Sequence, residues 1–164
     1  AIFLSGTAVL FAVIEFLPVR GTDDTTAYLN THAIVLKSRG SLQEAILFWQ
    51  RSSDMNRSFS TFANLSLAGY HFSRNDEGRG RSYLSRIADS SFAAFQKYEL
   101  LGDFSSSRKR IDDAISAYEK SLSINWGQRF AREKLIRLYR MKDPVKAKKE
   151  EETLRYVSSF YDLM

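Results

Sequence analysis

Between residues 26 and 161 the apolar positions fall into short stretches with helical spacing, separated by polar turns. In "IDDAISAYEKSLSI", Ile111, Ala114, Ile115, Tyr118 and Leu122 recur at three- and four-residue steps and share one face. In "SLQEAILFWQRS", Ser41 and Glu44 have the spacing of a capping box, which opens a helix. Asp143 ahead of Pro144 has the form of an N-cap with proline in the first turn. The pattern predicts helices over 26–38, 41–53, 59–73, 77–89, 91–106, 110–123, 127–141 and 144–161, and no strand. In "GQRFAREKLIRLYRMK", Phe130, Leu135 and Leu138 are expected to face inward.

A longer period runs through these segments. A small or apolar residue is followed twelve positions later by a small one: Ala33 and Ala45, Ala68 and Gly80, Gly102 and Ala114, Leu135 and Ala147. The second members lie 35, 34 and 33 residues apart. Four residues after each stand Trp49, Leu84, Tyr118 and Glu151, the last departing from the bulky apolar type. Small residues let two helices cross closely, and a large residue one turn on fills the space beside the crossing. The unit is therefore a helical hairpin of about 34 residues. Four such units exceed the roughly three needed to bury a continuous core.

The first twenty residues follow another rule. No charge occurs from Ala1 to Ile14, and Phe16, Leu17 and Val19 prolong the apolar run. As a helix, residues 1–19 would rise roughly 28 Å, close to the ~30 Å hydrocarbon core of a bilayer. Ser5, Gly6, Thr7 and Ala8 permit close helix contact in lipid. Glu15 opposes insertion by about 2.5–3.5 kcal/mol at mid-bilayer, and by less near the headgroups, where Arg20 can pair with it. The favoured expectation is a transmembrane helix over 1–20, a polar linker over 21–25 and a helical repeat domain over 26–164. The competing expectation makes the same segment a buried first helix of the array. A cleavable signal peptide fits less well, for lack of a basic leader and a small-x-small site. The missing Met at position 1 is expected of a processed chain or of a piece of a longer one.

Charge narrows the function classes. The net charge is +5, but 19 acidic residues accompany 24 basic ones. The runs "RKR" and "KAKK" lead directly into Asp112–Asp113 and into "EEE", the mixture of a solvated helix face. No nucleic-acid partner is expected. Cysteine is absent, which excludes disulfides and thiolate chemistry. His32 and His71 fall on different helices without metal-ligand spacing, and "EGRGRS" at 77–82 lacks the lysine and strand of a phosphate loop. No Ser–His–Asp set or nucleophile elbow is present. The expectation is no catalytic residue, no metal and no cofactor.

The segment "KYELLGDFSSSRKRIDDAISAYEKSLSIN" resembles the tetratricopeptide repeat family in its "LG", the alanine twelve later, the tyrosine and the closing "KSL". "HAIVLKSRGSLQEAILFWQRSSDMN" is similar, with Gly40 at the family's turn position. The likeness covers about residues 26–160. It departs where the family's closing proline is replaced by Arg57 and Trp126, at Gly80, and in the fourth unit, which is held by spacing alone. The resemblance implies an all-α right-handed superhelix of about four hairpins, whose first helices line a concave groove that binds a protein or peptide. Carried over by register, groove positions include Asn30, Ile34, Lys37, Phe62, Leu65, Phe72, Gln96, Glu99, Asp103, Arg129, Arg132, Ile136 and Tyr139. Among them Asn30, Phe62, Phe72, Arg129, Arg132 and Tyr139 are the expected partner-binding set. A surface grading from aromatic to basic suits an acidic-hydrophobic peptide. The expected function is a membrane-tethered, non-catalytic scaffold, with a bacterial inner membrane as its location. An apolar span leading into such repeats is also similar to the C-terminal end of bacterial multi-pass glycosyltransferases and polymer ligases. That likeness implies an accessory domain whose catalytic part lies upstream.

Overall fold

In the computed structural model the described residues are 23–57, 59–91 and 93–161. Their regular structure is helical: α1 Asp23–Ser38, α2 Leu42–Asp54, α3 Ser60–Ser73, α4 Glu77–Ser85, α5 Ala94–Ser107, α6 Ile111–Ile124, α7 Arg129–Lys142 and α8 Pro144–Tyr161. These eight pack as consecutive pairs. The apolar segment 1–20 lies outside the described residues. Among those described, no helix is long and apolar enough to cross a membrane. α1 begins at Asp23, inside the stretch read as linker.

The small-residue code forms the hairpins as expected. Ala33, Ala45, Ala68 and Ala114 are fully buried, Gly102 is buried, and Trp49, Leu84 and Tyr118 beside them are each 2% exposed. Two glycines have specific causes. A methyl group on Gly102 would lie 2.6 Å from the Tyr118 ring, and one on Gly80 would lie 2.3 Å from the Phe72 ring. In each hairpin an aromatic ring takes the space of the missing side chain. The bulk comes from the second helix at Gly102 and from the first helix at Gly80.

A second repeat is visible in the backbone. α1, α3 and α5 end on left-handed residues, Gly40 (φ 84°), Asn75 (φ 62°) and Lys109 (φ 59°). After each, the next amide reaches back five residues: Ser41 to Leu36, Asp76 to His71 and Arg110 to Ser105. This double closure satisfies the last carbonyls of the helix and reverses the chain. α7 ends differently. The Asp143 amide donates to the Tyr139 carbonyl and α8 starts at once on Pro144.

Three local expectations are corrected. Ser41 forms no side-chain cap; its amide closes the preceding helix instead. Capping comes from Asp76, which accepts from the Arg79 amide at 3.1 Å, and from Asp143, which accepts from the Lys146 amide at 3.1 Å. α4 stops at Ser85 rather than 89, because the Arg86 and Ile87 amides tighten onto Tyr83 and Leu84 and turn Ile87 into the core. Phe130 faces outward and is 72% exposed, while Leu135 and Leu138 are buried.

The chain divides after Asn64, within α3, into two compact units. In the first, α1 packs on α2, and polar groups fasten the start of α3. The Ser60 hydroxyl donates to the Ser52 carbonyl at 2.5 Å, and Ser53 donates to Asn64 Oδ1 at 2.6 Å. In the second, one core joins Ala68, Phe72, Leu84, Ile87 and Phe104. Another joins Ala114, Tyr118, Leu122, Leu135, Tyr139 and Ala147 across α6, α7 and α8.

Candidate functional site

Four of the six residues expected to bind a partner are engaged inside the fold. Asn30 is 6% exposed and its amide donates to the Phe59 carbonyl at 2.8 Å, tying α1 to the chain ahead of α3. Phe72 is 6% exposed and stacks on Phe104, ring centres 4.3 Å apart. Arg132 is 5% exposed; its guanidinium pairs with Glu150 of α8 and donates to the Trp126 carbonyl at 2.5 Å. Tyr139 is buried and its hydroxyl donates to Glu119. Phe62 and Arg129 lie open, Arg129 bonded to Glu133 at 2.8 Å.

The outward face of α7 is rotated from the expected one. Ala131, Leu135 and Leu138 form its inner stripe, and Arg132, Ile136 and Tyr139 widen that stripe. The opposite stripe is Phe130, Arg137 and Met141, seven and then four residues apart, so they share a face. Phe130 and Met141 are 72% and 69% exposed. Leu135 and Ala147 are both buried, so the twelve-residue spacing holds in the last hairpin, although that hairpin closes without the left-handed residue that the other three contain.

Beside this stripe, a charged strap joins α5 to α7. Lys134 Nζ lies 3.1 Å from Glu99 and 2.7 Å from Asp103, and the Tyr118 hydroxyl donates to Asp103 at 2.6 Å. Burial alone would lower the Lys134 pKa, but its bonds to Asp103 and Glu99 outweigh burial and raise it. Burial, followed by the Asp103 bond, pushes the Tyr118 phenol up. Burial and Glu119 do the same to Tyr139. The strap borders an open concavity of about 400 Å³ that Asp103, Ser106, Ser107, Lys134 and Arg137 line. Arg137 is exposed and makes no ion pair among the described residues.

No protein-family profile matches the chain, and no curated protein is significantly similar to it. The chemistry of the site is therefore read from its own residues.

The Arg137 guanidinium, without an ion pair among the described residues, stands between exposed Phe130 and Met141 and offers charge-assisted donors flanked by apolar surface. The histidines sit elsewhere: His32 stacks on Tyr28 at 5.8 Å, and His71 stacks on Tyr83 at 5.6 Å with Nδ1 3.4 Å from Asp76. Among the described residues no group of three or more His, Cys, Asp or Glu side chains is placed to hold a metal. The Phe130–Arg137–Met141 stripe was absent from the sequence-based set. Its signal was present, because these positions lie opposite the arc of Ala131, Leu135, Ile136, Leu138 and Tyr139 on a helical wheel.

Proposed function

We propose that the chain is a non-catalytic scaffold of tetratricopeptide-like hairpins, tethered to a membrane through residues 1–20, that binds another protein or peptide through the outward faces of its first helices. The observation that supports this most is the exposure of Phe130 and Met141, 72% and 69%, on either side of Arg137, which has no ion pair among the described residues. Large apolar side chains beside a free guanidinium and an open concavity have the composition of a recognition patch. The hairpin period and small-residue code that resemble the tetratricopeptide family support a binding role for such a face. The partner suited to it carries a carboxylate next to bulky apolar residues.

A displayed peptide library selected against the full chain tests this reading. Enriched sequences should place Asp or Glu beside aromatic or branched apolar residues. Arg137→Glu should reverse the charge preference while leaving helical content unchanged. Enrichment indifferent to both Arg137→Glu and Phe130→Asp would remove this face from the proposal.

A further inference from the structure

The last helix has an outward face of its own, independent of the α7 stripe. Ala147 and Val157 bury α8 against its neighbours at 2% and 1% exposure. Glu150 and Glu151 turn toward α7, where they pair with Arg132 and Arg140. On the opposite side stand Val145, Lys149, Glu152 and Tyr156, all exposed, with Val145 at 81% and Tyr156 at 65%. Their steps are four, three and four residues, the spacing of a helix–helix seam. Neither Lys149 nor Glu152 makes an ion pair among the described residues.

The order along this face is apolar, cation, anion, apolar. Reversed, it keeps its spacing and exchanges the two charges. We propose that the face is self-complementary and joins two copies of this chain, α8 against α8, antiparallel about a two-fold axis between residues 150 and 151. That operation sets Val145 against the partner's Tyr156 and Lys149 against the partner's Glu152, each contact occurring twice. A two-fold interface demands this reciprocity, in which one residue meets a second and the second meets the first. The ion pairs fix register and antiparallel sense, since a parallel pair would oppose Lys149 to Lys149 and Glu152 to Glu152. Exposed Lys148 and Arg155 flank the seam and meet like charges at its rim. The association is therefore weak and reversible, read out at high protein concentration.

Sedimentation of the full chain in detergent, across a concentration series, tests the pairing. The wild-type chain should show a concentration-dependent dimer. Lys149→Glu alone or Glu152→Lys alone places like charges across the seam twice, and each should weaken self-association roughly tenfold or more. An equimolar mixture of those two single variants restores both ion pairs, as does the double exchange in one chain. Both should dimerise again, which a merely misfolded helix would not do. A wild-type chain that stays monomeric overturns the proposal, as do single variants that dimerise like wild type. So does a mixture that fails to recover.

Discussion

Gly102→Ala should change sign with the residue at position 118. An alanine Cβ there would lie 2.6, 2.7 and 2.9 Å from three carbons of the Tyr118 ring, well inside the ~3.5–4.0 Å of normal carbon contact. Tyr118 is 2% exposed and anchored through its hydroxyl to Asp103, so its ring has little room to retreat. Overpacking of this kind costs about 1–3 kcal/mol. Against it stands the roughly 0.5–1 kcal/mol that alanine gains over glycine in a helix interior. The net result is destabilisation by up to about 2 kcal/mol. Tyr118→Ala alone should cost about 3–5 kcal/mol, as large aromatic truncations do. In that background the clash is gone, and Gly102→Ala should stabilise by about 0.5–1 kcal/mol. Urea unfolding followed by helical circular dichroism gives the four corners of the cycle, and hydrogen exchange of the α5 and α6 amides gives a local check. Equal effects of Gly102→Ala in both backgrounds would refute the packing argument.

Arg132→Ala should cost about 3–5 kcal/mol, since it leaves Glu150 beside an emptied, largely buried site; Arg132→Met with Glu150→Leu should come within about 1 kcal/mol of wild type in the same assay. Tyr118 and Tyr139 have folded-state pKa values raised above the unfolded value of about 10, so the stability they add is complete below that pH and lost as pH rises beyond it. The double variant Tyr118→Phe/Tyr139→Phe should therefore show a flatter fall in urea midpoint above pH 10 than wild type, and an identical slope would count against both hydroxyl bonds.

Much of the fold was legible because its determinants are local. Helix ends could be read near Asp143–Pro144 and near Gly40, and the residues paired at twelve-residue spacing are buried in each hairpin. α7 was harder to orient, because its buried arc takes in Arg132 and Tyr139 while Phe130, an aromatic residue of its first turn, is 72% exposed. Arg132 read as a surface cation because arginine is seldom buried. Its burial requires Glu150, eighteen residues away and outside any local window. Ser41 was misread as a side-chain cap because the sequence does not show that its amide is committed to Leu36.

The opposite sourcing of bulk at Gly80 and Gly102 limits how far these hairpins are interchangeable. An α3 grafted ahead of α6 would bring Phe72 toward Ala114, whose methyl group occupies the space that Gly80 leaves empty. An α5 grafted ahead of α4 would bring Gly102 opposite Leu84 instead of a tyrosine ring, leaving a void. Single helices therefore cannot be traded between these two hairpins without a clash or a void. Recombination between them is penalised at the turns inside them, where a ring and the glycine it covers come from opposite helices.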